Sequence, residues 1–433
     1  MNENGDASGG TSASSASKGR TSTTGNALSE GNLAPISIQE YTEYDEILKL
    51  RNAALKKEEG DLLAQQERLS VERDHHVREL RRIRDEDASR FNKHPMLNGR
   101  YLLLELLGRG GFSEVWKGFD SEDMRIVAVK IHSLNSQWSD ERKKTYTRHA
   151  MREYAIHQRL LHNRIVRLFD VFEIDDQSFA TVLEYCDGTD LESHLHSVKM
   201  LPEREARSIV TQVFSGLRYL NEISPPVIHY DLKPGNILFH NGEVRITDFG
   251  LSKVVEPDVD DGAKQVMGPP RPVAKWAKEI ELTSQGAGTI WYLPPECFES
   301  SKTGDAPRIS SKVDVWSMGV IFYELLYGVK PFGRDQSQQT ILRNDSITNE
   351  AHLLTFPAKP TVGQETKDFI RKCLEYRKER RPDVLTLCND SYLNPAAKNA
   401  SGTASAGSGN AGSSSRSGSG AALSSVMNGL LDQ

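Results

Sequence analysis

Residues 229–250 read HYDLKPGNILFHNGEVRITDFG, and this stretch decides the fold. It predicts two short loops joined by a β-hairpin, with Asp231 and Asn236 on the first loop and Asp248 on the second. Phosphoryl transfer from ATP needs one carboxylate that orients the acceptor hydroxyl, and an amide oxygen and a second carboxylate that hold Mg²⁺. The types and the order of these three residues therefore point to that chemistry.

A glycine-rich stretch, GRGGFSEV at 108–115, precedes the loops along the chain. Gly108, Gly110 and Val115 fit the pattern G-x-G-x-x-G-x-V, while Ser113 replaces the third glycine. Such a loop brings backbone N–H groups close to ATP phosphates, because no Cβ atom stands in the way. On its own a glycine run more often marks a surface turn, so its weight comes from its neighbours.

The next candidates are a lysine and a glutamate. Residues 127–130, VAVK, have the alternation of a β-strand, and Ala128 lies within it. This strand would point Lys130 at the α- and β-phosphates of ATP. The stretch HAMREYAIHQRLLHN has apolar residues at helical spacing after Glu153, which makes this residue the candidate ion-pair partner of Lys130. The strand that follows is expected to open at Ile165 and Val166.

The pattern H-x-D-L-K-x-x-N followed by D-F-G resembles the protein kinases, as do GTIWYLPPE at 288–296 and VDVWSMG at 313–319. The resemblance implies an α+β bilobal fold over residues 100–393, with a small, mostly β N-lobe and a larger helical C-lobe. It implies that Glu296 pairs with Arg381, and that Asp314 braces the catalytic loop.

The same resemblance implies a set of site residues and two cofactors, ATP and Mg²⁺. Asp231, Lys233 and Thr289 would be catalytic, and Asn236 and Asp248 would hold the metal. Leu183 would be the gatekeeper at the back of the adenine pocket. The expected nucleotide-binding residues are Gly108, Gly110, Val115, Ala128, Lys130, Glu153, Glu184, Cys186 and Asp190.

Within the protein kinases, the sequence is similar to the Tousled-like kinases. Tyr230 in HYD, where most protein kinases have Arg, and LTSQGAGTIWYLPPECF at 282–298 carry this resemblance. It implies a nuclear Ser/Thr kinase linked to chromatin assembly, acting on histone chaperones of the anti-silencing type. A neutral phenol cannot replace a guanidinium–phosphate pair, so we expect basal activity without a phosphate beside Tyr230.

Composition fits one catalytic unit with tails. The 433 residues carry a formal net charge of −6, which argues against direct nucleic-acid binding. The four cysteines lack paired spacing, which suggests reduced thiols. No apolar run is long enough to predict a membrane span, and the N-terminus lacks the apolar core of a secretion signal. An intracellular protein is therefore expected. Residues 1–34 and 394–433 are low in large apolar groups and are expected to be disordered.

Residues 35–92 read as a helical or coiled-coil segment, with one long helix expected at about 38–90. Leucines recur every seven residues at Leu48, Leu55, Leu62 and Leu69, which is coiled-coil spacing. The positions four before them are mostly polar or charged. Two interpretations stay open: a helix that makes a homodimer, or one that lies on its own kinase domain or is partly free.

Residues 256–281, between DFG and the PPE motif, are expected to form a flexible insert with Trp276 as a docking residue. A competing function is a catalytically silent scaffold that recruits partners through the N-terminal helix. Against it, the expected metal- and phosphate-contacting residues are all present. Dual specificity for Ser, Thr and Tyr is permitted but has no positive feature.

Overall fold

The structure, a computed structural model, describes residues 37–134, 137–255, 277, 279–281, 288–298 and 307–394. The expected disordered tails lie outside the described residues, except for residue 394, as does Trp276. The chain divides into two units, Met1–Arg73 and Asp74–Gln433, and the fold of the second carries the candidate site. Among the described residues, no helix is both long enough and apolar enough to cross a membrane.

The long N-terminal helix is confirmed: α1 covers Ile38–Asp87. Ser37 and Glu40 begin it with a reciprocal capping box, in which Ser37 N donates to Glu40 Oε2 at 3.0 Å and Glu40 N donates to Ser37 Oγ at 3.1 Å. No residue of α1 is buried. Helix propensity and capping therefore set the local structure of most of α1, while its last turns contact β2, where Glu86 Oε2 accepts from Leu106 N at 3.0 Å.

The N-lobe is built on a six-stranded antiparallel sheet with the strand order β1-β2-β3-β4-β6-β5. Its strands are β1 Met96–Leu97, β2 Tyr101–Arg109, β3 Ser113–Asp120, β4 Arg125–Ser133, β5 Leu168–Asp175 and β6 Ser178–Glu184. In β4, Val127, Val129 and Ile131 are fully buried in the sheet core, so Ala128, Lys130 and His132 face the other way. Helix α2, Asp140–His157, connects β4 to β5.

The expectation that β5 opens at Ile165 and Val166 was wrong, because the strand begins at Leu168. Ile165 instead makes an isolated parallel bridge to Ile246, and Val166 N donates to Ile246 O at 2.9 Å. Both residues are buried, Ile165 in the C-lobe core, and local periodicity does not reveal these long-range contacts.

The C-lobe is helical. Its helices are α3 Leu191–Val198, α4 Glu203–Glu222, α5 Lys312–Tyr327, α6 Gln338–Asn344, α7 Ser346–Glu350, α8 Gln364–Cys373 and α9 Val384–Cys388. Helix α5 is apolar on nearly every side and almost wholly buried, between α4 and α8. Gly319 allows this approach, since a Cβ atom there would lie 2.7 Å from Cys373 Cβ. The α+β bilobal fold is thus confirmed.

Three two-stranded sheets shape the loops of the C-lobe. They pair β7 Val227–Ile228 with β10 Lys253–Val254, β8 Ile237–His240 with β9 Glu243–Ile246, and β11 Ile280–Glu281 with β12 Arg308–Ile309. The β8–β9 pair is the predicted hairpin between the two polar loops. Of the expected flexible insert at 256–281, residues 256–276 and 278 lie outside the described residues, and at its end Ile280 and Glu281 pair with β12 in a strand.

Candidate active site

A cavity of about 800 Å³ lies between the N-lobe sheet and the C-lobe. That volume suits a nucleotide, since ligand pockets run to about 300–1,000 Å³. The predicted residues that line it are Gly108, Gly110, Val115, Ala128, Lys130, Glu153, Glu184, Cys186, Asp190, Asn236 and Asp248, with the expected gatekeeper Leu183. The structure therefore brings the expected nucleotide and metal residues to one place.

The glycine-rich loop is the turn between β2 and β3. Gly108 pairs with Val115 across the two strands, and Gly110 N donates to Ser113 O at 2.7 Å to close the tip. A Cβ atom on Gly108 would meet nothing within 4 Å, so steric crowding within the chain does not require this glycine. Close approach of a ligand to the backbone would account for a glycine here.

Lys130 lies between two carboxylates. Its Nζ is 3.4 Å from Asp248 Oδ1 and 3.9 Å from Glu153 Oε1. Burial would lower the pKa of Lys130, but the two negative charges more than offset it, and the pKa is raised. Burial raises the pKa of Glu153, whereas Lys130 and other nearby cations outweigh burial at Asp248 and lower its pKa.

Asp231 sits at the centre of a hydrogen-bonded cluster. Its Oδ1 accepts from Thr289 N at 3.0 Å and from Thr289 Oγ1 at 3.2 Å, and its Oδ2 accepts from Lys233 Nζ at 3.1 Å. Lys233 Nζ also donates to Thr289 Oγ1 at 3.1 Å. Both carboxylate oxygens are therefore oriented, and the three expected catalytic residues contact one another.

Asn236 is held by the same loop. Its Nδ2 donates to Asp231 O at 2.8 Å, so its Oδ1 is the side-chain atom left to accept a cation. No group of three or more His, Cys, Asp and Glu side chains in the described part of the chain could hold a metal ion. A site with one amide oxygen and the Asp248 carboxylate fits Mg²⁺, which binds through few protein ligands together with substrate phosphates.

Asp314 holds the catalytic loop from behind, as the sequence predicted. Its two carboxylate oxygens accept from His229 N at 2.9 Å and from Tyr230 N at 2.8 Å. Tyr230 has a φ of 71°, which is uncommon for a bulky residue, and the two hydrogen bonds hold it there. The predicted Glu296–Arg381 pair is likewise present, with Oε1 and Nη1 2.7 Å apart.

The hinge side of the cavity carries Glu184, Cys186 and Asp190. Glu184 N donates to Arg167 O at 2.8 Å, which leaves this N–H unavailable to a ligand. Burial raises the pKa of the Cys186 thiol to about 12, so the thiol stays neutral. The Asp190 carboxylate caps α3 by accepting from Ser193 N at 2.8 Å while it lines the cavity.

Sequence reasoning missed one cluster of three aromatic rings at the DFG motif. Phe249 of the DFG motif packs between His157, at 4.8 Å between ring centroids, and His229, at 5.0 Å. His157 is four residues after Glu153, so the two share one face of α2. That spacing was the available signal, but a histidine in a helix gives no reason by itself to expect a ring partner.

Comparison with known proteins agrees with this geometry. Residues 101–393 match the family model described as "Protein kinase domain". The chain is 55% identical over 383 residues to human serine/threonine-protein kinase tousled-like 2, covering 88% of this chain and 47% of that protein. It is 54% identical over 351 residues to Arabidopsis thaliana serine/threonine-protein kinase TOUSLED, covering 81% and 48%.

Mouse tousled-like 1 is 55% identical over 373 residues, which cover 85% of this chain and 46% of that protein. The chain thus spans about half the length of these curated relatives. The resemblance to Tousled-like kinases that the sequence predicted is confirmed. Since the family model matches more than half of its residues, the chain belongs to the protein kinase family and is similar to the Tousled-like kinases within it.

Proposed function

We propose that the protein is a serine/threonine protein kinase that transfers the γ-phosphoryl group of ATP to hydroxyl groups of protein substrates. The observation that carries the proposal is the Asp231 cluster. Its carboxylate oxygens lie 3.1 Å from Lys233 Nζ and 3.0 Å from Thr289 N, which fixes a base and a cation side by side. This arrangement is what transfer to a hydroxyl requires.

The nucleotide would be held by residues of both lobes. The loop at 108–115 would cover the phosphates with backbone N–H groups, and Lys130, fixed by Glu153, would contact the α- and β-phosphates. Ala128 and the backbone of Glu184 and Cys186 would contact the adenine, and Asp190 the ribose. All of these residues except Gly111, Phe112 and Glu114 of the loop line the cavity.

Asn236 Oδ1 and the Asp248 carboxylate would hold Mg²⁺. When bound, the metal neutralises charge on the phosphate oxygens. Lys130 keeps Asp248 ionised, because the positive charges around this carboxylate lower its pKa. A cation ligand needs the ionised form, so the electrostatics of the site suit the role.

Asp231 would orient the acceptor hydroxyl and take its proton late, as the oxygen–phosphorus bond forms and the bond to the leaving ADP oxygen breaks. Lys233 would stabilise charge on the transferred group. The Thr289 hydroxyl contacts the Asp231 and Lys233 side chains and would keep them oriented relative to each other. Lys233 in the D-L-K-P context supports Ser and Thr as acceptors.

The test is phosphate transfer from ATP to Ser, Thr and Tyr peptides and to the protein itself. Asp248→Asn should lower turnover by about a hundredfold or more, since it removes a charged metal ligand. Asp335→Asn is the matched control: both residues have positive φ, at 64° and 57°, and the Asp335 side chain is 91% exposed. It should leave turnover unchanged.

Unchanged transfer by Asp248→Asn would contradict the assigned site. A wild-type protein that binds Mg²⁺·ATP without transferring phosphate would favour the scaffold instead. Labelling of Tyr peptides as fast as Ser and Thr peptides would show dual specificity.

We further propose substrates among histone chaperones of the anti-silencing type, and a nuclear location. The support is the sequence similarity to Tousled-like kinases over most of this chain. Labelling of such a chaperone at higher kcat/KM than an unrelated acidic protein of similar size would support the substrate class, and equal rates would contradict it.

A homodimer through α1 is the third part of the proposal. Leu48, Leu55, Leu62 and Leu69 have exposed fractions of 57%, 62%, 58% and 55%. A stripe of exposed leucines at seven-residue spacing gains free energy when a second helix covers it.

A further inference from the structure

Four aromatic side chains meet at the tip of the glycine-rich loop, and the proposed function gives none of these side chains a role. The ring of Phe112, at the tip of the glycine-rich loop, lies 4.8 Å from that of Trp138 and 6.4 Å from that of Tyr146, between centroids. Trp138 and Tyr146 are 5.5 Å apart. A hydrogen bond of 3.1 Å joins the Tyr146 hydroxyl to His132 Nδ1. We call Phe112, Trp138, Tyr146 and His132 the aromatic clasp.

The clasp joins three elements that must be positioned together for phosphoryl transfer. Phe112 belongs to the loop, and its carbonyl also accepts from Ser133 N at the end of β4, at 2.9 Å. Tyr146 belongs to α2 and His132 to β4. His132 is itself fixed by stacking on Phe179 of β6, at 4.5 Å between centroids and 4° between ring planes.

The clasp and the ion pair of the active site lie on the same faces of the same two elements. Tyr146 precedes Glu153 by seven residues, or about two turns, so both point from one side of α2 at β4. His132 follows Lys130 by two residues, so both point from one side of β4 at α2. The Tyr146–His132 contact is therefore a second connection between α2 and β4, about 10 Å along the helix from Glu153.

The Tyr146–His132 contact can add to the positioning of α2, because the Lys130–Glu153 ion pair is long. Lys130 Nζ is 3.9 Å from Glu153 Oε1, beyond hydrogen-bond distance, and closer to Asp248. Burial raises the pKa of Tyr146 and lowers that of His132 to about 3, so both are neutral near pH 7 and their hydrogen bond adds no charge beside Lys130.

We propose that Tyr146 is a positioning residue: through Phe112 and Trp138 it couples the glycine-rich loop to α2, so that the loop over the phosphates and the Glu153–Lys130 pair are set together. Phe112 is the adjustable part, since 46% of its surface is exposed while His132 is buried. The inference rests on the proposed function, because it assigns the loop and Lys130 to ATP phosphates.

The test measures KM for ATP, kcat and the dissociation constant of ATP in a double-mutant cycle. Phe112→Ala and Tyr146→Ala should each raise KM and the dissociation constant about threefold to tenfold, the range expected for a lost aromatic pair. Tyr146→Ala should also lower kcat, since it frees the helix that carries Glu153. Phe112→Tyr and Tyr146→Phe keep the rings, so each should bind ATP with wild-type affinity.

The decisive readout is the coupling between Phe112 and Tyr146 in ATP affinity. If both rings act through one contact, the double variant should bind ATP no more than about twofold more weakly than Tyr146→Ala alone. Met151→Ala is the control on α2, because this side chain is 56% exposed and lies outside the clasp. It should leave all three quantities unchanged.

Two outcomes would overturn the clasp. One is a lower melting temperature with unchanged ATP affinity in Phe112→Ala and Tyr146→Ala, which would make the cluster structural only. The other is full additivity of the two changes, which would make the rings independent. Wild-type protein that binds ATP without transferring phosphate would contradict the proposed function instead, and the binding cycle would still test the clasp.

Discussion

Tyr230 removes a phosphate-binding side chain from the catalytic loop. Its side chain is fully buried in a small apolar cluster that includes Val255, Leu293 and Cys297. An arginine here would offer a phosphate a bidentate partner, whereas a buried phenol offers no charge. The cation beside the Tyr230 ring is Lys253, whose Nζ lies 5.8 Å from the ring centroid, and an ammonium does not offer a phosphate the bidentate pairing of a guanidinium.

Basal turnover should therefore survive loss of the hydroxyl groups at Thr283 and Ser284, which lie outside the described residues. We expect Thr283→Ala with Ser284→Ala to retain kcat within about twofold, as for substitutions that remove no required contact. Steady-state kinetics of the double variant beside wild type measures this. Loss of turnover with unchanged ATP affinity and melting temperature would show that a phosphate in this segment is required.

Helix α2 positions the site through three residues on one face. Tyr146 contacts the loop tip, Glu153 faces Lys130, and His157 packs on Phe249. His157 Nε2 also lies 2.6 Å from Val166 O, and since a carbonyl only accepts, this nitrogen carries the proton. The imidazole thus links α2 to Val166 through this hydrogen bond and to the DFG motif through its ring contact with Phe249.

Burial lowers the pKa of His157 from 6.5 to about 4, which makes stability depend on pH. The unfolded chain takes up the proton first, so the contribution is fully present above about pH 6.5 and is lost as pH falls toward 4. His157→Gln keeps an N–H donor and should reduce the loss of unfolding free energy over this window by about 3 kcal/mol.

Denaturant unfolding at a series of pH values measures the effect. His196→Gln, which replaces an exposed histidine of α3, should leave the pH dependence as in wild type. If the unfolding free energy of wild type and of His157→Gln fell equally between pH 6.5 and 4, the assignment of this acid sensitivity to His157 would be contradicted.

Elements with strong local patterns were predictable, and contacts between distant elements were not. The hairpin of β8 and β9, the strand β4 and the helix α2 follow from turn residues and periodicity. The start of β5 and the pairing of β11 depend on partners elsewhere in the chain, Ile246 and Ile309. The aromatic clasp escaped prediction for the same reason, since Phe112 and Tyr146 are unremarkable until the sheet brings them together.

The catalytic unit begins before the residues that its motifs mark. Phe91 is buried in the core of the N-lobe sheet, although the kinase domain was expected from residue 100. Glu86 Oε2 accepts from Leu106 N at 3.0 Å, and Arg90 Nη1 lies 2.9 Å from Asp175 Oδ2. The end of α1 and the segment after it are therefore part of the kinase fold, and a truncation at residue 100 would remove core contacts.

The remaining question for the whole protein is whether α1 joins two copies. In this register the positions four before the leucines hold Tyr44, Arg51, Glu58 and Gln65. One side of the seam is therefore mostly polar, and a dimer would be of moderate affinity. We expect wild type to self-associate at micromolar concentration in sedimentation velocity. Leu55→Glu with Leu62→Glu should make it monomeric, because two buried charges cost more than the seam gains.

The matched control is Leu50→Glu, which adds the same charge to an exposed leucine two residues past the stripe. This position faces away from the seam, so dimer formation should persist. Circular dichroism would show that α1 stays helical in every variant, since glutamate is a good helix former. A wild type that sediments as a monomer would contradict the dimer, and a Leu55→Glu, Leu62→Glu variant that still dimerises would place the interface elsewhere in the chain.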